Sequence, residues 1–250
     1  MSAVFAALLG IYVIYALIAN RREEKRGGRP RILSVALQGG LFFIACVYAF
    51  ERGLVSRDLV NPFYLALGLA LGHLVFGVSL FANHPVWRDV VGYLVDLRSL
   101  RRFLVETPGL LMRFTAVSIS EELIYRVAAQ GTLFAALAHA GFGGGAAASA
   151  AVVVVALVFS VTHRHFFRNA LPQSIEFVGF SLLIGALYEW TGSFVFIVGI
   201  HTVRNLESVY LEYLAELDET GDEARALEAI EARYAPSRLP QRWRPAPRTP

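Results

Sequence analysis

The stretch SISEELIYRV, residues 118–127, places the side chains of Glu121, Glu122 and Arg126 within an apolar segment that extends over residues 109–133. A charge near the centre of a bilayer costs at least about 2.5 to 3.5 kcal/mol on insertion scales. Ionisable side chains in such a segment therefore face the interior of a helical bundle or a hydrated cavity. We expect the fold and the function of the chain to be organised around this segment.

Composition indicates that the whole chain is a membrane protein. Of the 250 residues, 56% are hydrophobic and only 17% are charged, which lies outside the usual balance of soluble domains. A spanning helix needs roughly 20 mostly apolar residues. The sequence therefore predicts an all-α, polytopic transmembrane helical bundle of about seven spans: 2–20, 32–50, 60–82, 109–133, 146–163, 173–190 and 192–213. A tight turn at Thr191 and Gly192 separates the last two spans.

Basic residues are concentrated in the loops that follow the first, third and fifth predicted spans. They are Arg21, Arg22, Lys25, Arg26, Arg29, Arg31, Arg88, Arg98, Arg101, Arg102, Arg164 and Arg168. Because such loops remain in the cytoplasm, we predict an external N-terminus and a cytoplasmic C-terminus in the inner membrane of a bacterial or archaeal cell. No segment resembles a nucleic-acid module, so nucleic acid is not an expected partner.

Two further spans carry pairs of polar or aromatic residues at helical spacing. The fifth span ends in FSVTH, with Phe159 and His163 four residues apart, and the seventh contains HTVRN, with His201 and Asn205 four residues apart. Residues four apart share one face of a helix. Several polar side chains on different spans of one four-span block are difficult to explain by packing alone.

The same spacing argument divides the first polar cluster. Glu122 and Arg126 share a helix face and can form an ion pair, whereas Glu121 points about 100° away around the axis. Burial from water tends to raise the pKa of a carboxyl group, which suits Glu121 to act as a general base. The competing interpretation is that all three charges only join helices.

These residue types together suit hydrolysis of an amide by an activated water molecule. Glu121 would accept a proton from the water, and His163 could hold the same water. His201 and the amide of Asn205 are donor types that stabilise a tetrahedral oxyanion. Residues 109–213 are therefore predicted to be a catalytic four-span core.

The other parts of the chain are assigned from composition. Residues 1–108 are interpreted as an accessory transmembrane portion that ends in an amphipathic connector at the inner interface. Residues 214–250 are predicted to form a cytoplasmic tail with a short helix followed by a disordered basic end.

The three motifs EELIYR (121–126), FSVTH (159–163) and HTVRN (201–205) resemble the EExxxR, FxxxH and HxxxN motifs of the CAAX prenyl protease type II and bacteriocin-processing family of intramembrane proteases. The resemblance implies a glutamate-dependent endopeptidase that cleaves a membrane-associated peptide or protein. The candidate substrates are prenylated peptides, bacteriocin-like peptides, and C-terminal processing or sorting tags. The sequence does not indicate the oligomeric state.

The resemblance also implies a role for each motif residue. Glu121 and His163 would activate the water, and His201 and Asn205 would form the oxyanion hole. The site would be supported by the remaining motif residues, which are Glu122, Arg126 and Phe159.

The expected mechanism requires no cofactor. Glu121, His163 and His201 are also possible zinc ligands, so a zinc enzyme remains an alternative, although the sequence contains no HExxH motif.

Two other functions fit part of the pattern. The segment GFSL, residues 179–182, resembles the GxSG motif of rhomboid serine proteases except at its last position, which would make Ser181 a nucleophile. A non-catalytic scaffold, immunity protein or transporter could instead use the polar cluster to bind a partner or relay protons.

Overall fold

The computed structural model describes residues 2–22, 32–53, 61–83 and 86–234. Within these ranges every regular element is helical, which confirms the predicted all-α fold. Most of the basic loop after the first helix and the predicted disordered end of the tail lie outside the described residues.

Eleven α-helices are labelled α1 to α11 within the described residues. They are α1 (Ser2–Arg22), α2 (Ile32–Glu51), α3 (Pro62–Asn83), α4 (Trp87–Val95), α5 (Leu97–Glu106), α6 (Pro108–Glu122), α7 (Gly131–His139), α8 (Gly144–Thr162), α9 (Leu171–Thr191), α10 (Phe194–Thr220) and α11 (Glu223–Tyr234). A π-helical segment, Leu123–Gln130, joins α6 to α7, and a short 3₁₀ turn, Arg164–Phe167, follows α8.

Several helices of the bundle are suited to a bilayer. In the described residues, four stretches are long and apolar enough to cross a membrane: Leu33–Glu51, Pro62–Phe81, Gly144–Thr162 and Leu171–Thr191. A shorter apolar stretch, Ala3–Ala19, lies in α1. The outer faces carry large exposed apolar side chains, including Phe50 at 86% and Val78 at 71% exposure. A surface of this kind belongs in lipid, so the chain is an integral membrane protein, while the number of spans and the orientation stay predictions.

The segment that contains Glu121 is one continuous helix. The backbone stays right-handed and helical through Leu123 at the start of the π segment and through Gly131 at its end, so the helix extends from 108 to 139. The predicted span, 109–133, stopped short of this end. All eight residues of the π segment are buried, because α2 and α8 pack against it. A π-helical interruption is uncommon and is often found at functional sites.

Helix α10 is held by an unusually close contact with α3. A Cβ atom on Gly68 would lie 2.3 Å from the carbonyl oxygen of Phe196, and one on Gly72 would lie 2.9 Å from Cα of Ile200. Small residues spaced four apart let two helix backbones approach closely in a membrane. The contact fixes α10 immediately beside His201.

A buried polar pair reinforces the same helix pair. Nδ1 of His73 contacts Oε1 of Glu207, and Nε2 of His73 donates to the carbonyl oxygen of Leu94 at 2.9 Å. The Glu207 side chain is buried. The pair therefore ties α3, the end of α4 and α10 together.

The C-terminal helices are joined by two left-handed glycine turns. Helix α9 ends at Thr191, and Gly192 follows with φ of 63°, which is the predicted tight turn. Helix α10 crosses the predicted core boundary at 213 and continues to Thr220, where Gly221 has φ of 62°. Helix α11 then folds back so that Ile230 packs with Tyr210 and Phe103.

The connector after α3 consists of two helices where the sequence analysis treated it as one amphipathic stretch. The break is at Asp96, whose carboxylate accepts from the backbone N–H of Ser99 at 3.2 Å and from its hydroxyl at 2.7 Å. This N-cap begins α5 and satisfies a backbone donor at the helix start.

Substitution of Gly68 by Ala tests the α3–α10 contact. We expect the free energy of unfolding to fall by about 1 to 3 kcal/mol, because the new methyl group overlaps the backbone of α10. The measurement is thermal unfolding of the purified protein in detergent. Gly39→Ala in α2 is the control, since no atom lies within 4 Å of its Cβ position. Equal melting temperatures for the two variants would contradict the proposed contact.

Candidate active site

Three predicted site residues from three helices meet at one point. Glu121 is in the last turn of α6, His163 directly follows α8, and His201 is in α10. Oε1 of Glu121 lies 3.3 Å from Nε2 of His163, and Oε2 of Glu121 lies 3.5 Å from Nε2 of His201. The carboxylate therefore lies between two imidazole rings and presents one oxygen to each.

A backbone carbonyl determines the proton position on His163. Nδ1 of His163 lies 2.6 Å from the carbonyl oxygen of Phe159, four residues earlier. A carbonyl oxygen only accepts hydrogen bonds, so Nδ1 is the donor. In the neutral ring, Nε2 then carries the lone pair, and this is the atom that faces Glu121.

The aromatic ring of Phe159 fills the centre of the cluster. Its centroid lies 4.2 Å from that of the His163 ring and 6.1 Å from that of the His201 ring. The guanidinium carbon of Arg126 lies 5.3 Å from the same centroid. Phe159 is therefore in contact range of both imidazoles and forms a cation–π contact with the buried arginine.

Glu122 links the first motif to the third. One oxygen, Oε2, lies 3.3 Å from Nε of Arg126, which is the ion pair expected from the sequence. The other oxygen, Oε1, lies 2.6 Å from Nδ1 of His201, and all three side chains are buried. Sequence analysis missed the Glu122–His201 contact, because helical spacing relates residues within a helix and says nothing about residues on different helices.

The contact with Glu122 determines how His201 can act. The carboxylate accepts the Nδ1 proton, so Nε2 carries a lone pair in the neutral ring and becomes a donor when the ring is doubly protonated. Donation from Nε2 to an oxyanion therefore requires the imidazolium form of His201.

Asn205 lies one helical turn beyond His201 in α10. Its Nδ2 donates to the hydroxyl of Ser118 at 3.4 Å. Ser118 is buried in α6, one turn before the two glutamates, and no motif pointed to it. An amide nitrogen has two protons, so the bond to Ser118 occupies one of them.

Ser181 contacts Arg126, which is one of the buried residues beside the cluster. Its hydroxyl accepts from a terminal nitrogen of Arg126 at 2.8 Å and donates to the carbonyl of Ala156 at 3.4 Å. The side chain is buried. These contacts assign Ser181 to holding Arg126, and the rhomboid-like interpretation gains no support from its position.

A cavity of about 550 Å³ lies in front of Glu121 and His163. Its polar lining residues come from α1, α2, α6, the π segment and the end of α8; they are Tyr12, Gln38, Arg113, Ser120, Glu121, Tyr125, Thr162 and His163. Tyr12 and Gln38 belong to α1 and α2, which lie outside the predicted core of residues 109–213. No sequence signal singled them out.

The possible zinc ligands are Glu121, His163 and His201. Within the part of the chain that the structure describes, no three His, Cys, Asp or Glu side chains form a group that could hold a metal ion. A mechanism without a metal ion stays a prediction.

Similarity to known proteins covers this same region. Residues 103–206 match a family model described as "Rce1-like: Type II CAAX prenyl endopeptidase Rce1-like". No curated protein and no solved structure shows significant similarity to the chain. The matched segment begins in α5, ends in α10 and contains all three motifs. Residues 103–206, which hold the whole convergent cluster, thus match the model of the type II CAAX prenyl endopeptidase family that the motifs resemble.

Proposed function

We propose that the protein is an intramembrane endopeptidase that hydrolyses a peptide bond of a membrane-associated protein or peptide. The observation that carries this proposal is the position of Glu121, whose carboxylate lies 3.3 Å from Nε2 of His163 at the wall of a cavity of about 550 Å³. A carboxylate and an imidazole lone pair facing the same space are suited to hold and deprotonate one water molecule.

In the first step, the water oxygen attacks the carbonyl carbon of the scissile bond. A new C–O bond forms, the carbonyl π electrons move to oxygen, and Glu121 accepts the proton from the water. His163 orients the water through Nε2, since its Nδ1 proton is occupied by the Phe159 carbonyl. In the second step the C–N bond breaks, and the proton on Glu121 moves to the leaving amine.

The oxyanion of the intermediate requires hydrogen-bond donors. The imidazolium form of His201 would donate Nε2–H, with its charge balanced by Glu122 at 2.6 Å from Nδ1. One Nδ2 proton of Asn205 is used in the bond to Ser118, and Asn205 would donate the other to the oxyanion. Removing one such donor costs about 10²- to 10³-fold in turnover in enzymes that use this arrangement.

The family description favours prenylated C-terminal peptides as the substrate class. C-terminal processing or sorting tags and bacteriocin-like peptides are the other candidates. A cluster inside an integral membrane protein suits a substrate that is associated with the membrane, which is the proposal for all three classes.

Substitution of Glu121 by Gln should abolish turnover, with a loss of at least about 10²-fold, because the amide keeps the size of the side chain but cannot accept a proton from water. The measurement is comparative proteomics of membrane-protein termini in cells that express the wild type or the variant. Termini that depend on Glu121 identify the substrate directly.

The control for this experiment is Glu106→Gln, which changes an equivalent carboxylate in an exposed ion pair with Arg102. This variant should yield the wild-type set of termini. If the Glu121→Gln cells also show the wild-type set, the hydrolase proposal is wrong, and binding of a partner or proton relay becomes the better explanation of the cluster.

Substitutions in the ion pair between Glu122 and Arg126 should affect the free energy of unfolding and the activity differently. Arg126→Met leaves a buried carboxylate without its cation and should lower the free energy of unfolding by about 3 to 5 kcal/mol. The double variant Glu122→Gln/Arg126→Met removes both charges and should recover much of that stability. It should remain inactive, because His201 no longer has a carboxylate at Nδ1.

Thermal unfolding in detergent and the terminal proteomics assay measure the two properties on the same variants. A double variant as unstable as Arg126→Met would show that the charge balance is not what stabilises this region. A fully active double variant would exclude Glu122 from the oxyanion site.

A further inference from the structure

One face of α6 forms a continuous wall of the cavity in front of Glu121. The lining residues from α6 and the start of the π segment follow helical spacing; they are Arg113, Ala116, Val117, Ser120, Glu121 and Ile124. Steps of three and four residues keep side chains on one face of a helix. The wall therefore extends along the helix axis, with Arg113 at one end and Glu121 near the other.

Arg113 is the only lysine or arginine among the described residues that line this cavity. Its side chain is exposed. Within the part of the chain that the structure describes, the guanidinium forms no ion pair and no hydrogen bond. An anion that enters the cavity can therefore bind Arg113 without displacing a carboxylate of the protein.

Arg113 also lines a second cavity, of about 640 Å³, which has a wall formed by α11. The lining residues of α11 include Glu228 and Glu231, and neither is paired with Arg113 in the described structure. An anionic group that passed Arg113 into this cavity would approach two like charges. Arg113 thus marks the end of the space in which an anion is stable.

The separation between Arg113 and Glu121 corresponds to a short peptide. The two residues are eight positions apart within α6, so their Cα atoms are separated by about 12 Å along the helix axis. An extended chain spans about 3.3 to 3.6 Å per residue, so roughly three or four residues cover this distance. A peptide whose scissile bond lies at Glu121 would reach Arg113 if its chain ended three or four residues later.

The C-terminal carboxylate is the peptide group that suits Arg113. Every peptide with an unblocked C-terminus carries this anion, and a guanidinium binds a carboxylate through two parallel hydrogen bonds. The N-terminal amine is a cation and would be repelled. The charge of Arg113 therefore favours one direction of the substrate, with its C-terminal part lying along α6 towards Arg113.

We propose that Arg113 binds the C-terminal carboxylate of the substrate and thereby sets the cleavage position about three or four residues from the chain end. This inference rests on the proposed function, in which Glu121 deprotonates the attacking water. It restricts the substrate class to peptides and proteins with a free C-terminus close to the scissile bond. A substrate cut in the interior of a long chain would gain nothing from Arg113.

The kinetic test compares two farnesylated peptides that end in a Cys-aliphatic-aliphatic-X sequence, one with a terminal carboxylate and one with a carboxamide. Both carry a fluorophore and a quencher on side chains, and the protein is in an uncharged maltoside detergent. For the wild type we expect the carboxamide to raise KM about 10-fold with kcat within about twofold, because the contact is remote from the reacting bond. Arg113→Gln should raise KM for the carboxylate peptide to the same level. Equal KM values of the two peptides with the wild type would overturn the proposal.

Two further variants separate the site from a general effect of charge. Arg113→Lys keeps the cation and should restore part of the preference for the carboxylate, since an ammonium lacks the bidentate geometry. The matched control is Arg101→Gln, which removes an exposed arginine of α5 that lines neither cavity. Its KM values should match those of the wild type. A rise in KM as large as that of Arg113→Gln would attribute the effect to net charge and refute the site.

A length series tests the spacing between Arg113 and Glu121. The peptides carry about two to seven residues after the farnesylated cysteine, and mass spectrometry of the products locates the cleaved bond. In each peptide that is cleaved, this bond should lie about three or four residues before the C-terminus. Cleavage at a fixed distance from the farnesylated cysteine, at equal kcat/KM for all lengths, would show that the lipid anchor alone sets the position and would overturn the inference.

The phosphate of a lipid headgroup is the competing anion for an exposed arginine in a membrane protein. The activity of the wild type and Arg113→Gln is therefore also compared in vesicles of phosphatidylcholine with and without phosphatidylglycerol. We expect the preference for the carboxylate peptide in both. If Arg113→Gln lowers activity only in the anionic vesicles, and equally for both peptides, Arg113 binds headgroups and the proposal is wrong.

A binding measurement separates this inference from the proposed function, because it requires no turnover. Glu121→Gln protein is titrated with unquenched fluorescent forms of the two peptides, and the anisotropy is recorded. We expect the carboxylate peptide to bind about 10-fold more tightly, and the two peptides to bind equally once Arg113→Gln is added. If the wild type cleaves neither peptide and this preference is still seen, the carboxylate site stands and hydrolysis of this substrate fails. Equal binding of both peptides to Glu121→Gln refutes the site whatever the activity.

Discussion

A single buried carboxylate, that of Glu122, connects the parts of this structure that matter for function. Its two oxygens bind Arg126 within one helix and His201 on another, at 3.3 Å and 2.6 Å. An unpaired charge in lipid is expensive, so α6, the π segment and α10 are constrained to meet where the three groups balance each other. The geometry of the neighbouring Glu121 follows from that constraint, because the two glutamates are adjacent in sequence.

Close packing of uncharged residues also holds the helices in this arrangement. Lipid is as apolar as a leucine side chain, so the helices associate by packing and hydrogen bonding, without a hydrophobic driving force. Gly68 and Gly72 let α3 lie against the backbone of α10, and Phe159 fills the space between His163 and His201. Both contacts fix rings that the proposed chemistry uses, so the proposed function would depend on the same packing as stability.

Hydrogen-bond acceptors around the two histidines differ, as their different proposed roles require. A backbone carbonyl on Nδ1 of His163 leaves a basic Nε2 beside Glu121, which suits the orientation of water. A carboxylate on Nδ1 of His201 accepts that proton, so Nε2 could donate to an oxyanion only in the imidazolium form. Two identical side chains are therefore distinguished by their neighbours.

The sequence by itself determined the all-α membrane fold, the Glu122–Arg126 pair and the identity of the residues that converge. These follow from apolar length and from helical spacing, which are local properties that a single segment can show. Tertiary structure alone decided the contact of Glu122 with His201, the buried support from Ser118 and Ser181, and the place of Tyr12 and Gln38 in the cavity wall. Each of these joins residues far apart in the chain, and their meeting depends on how whole helices pack. The π segment was also invisible to the sequence, because apolar periodicity indicates a helix without showing which backbone hydrogen bonds it uses.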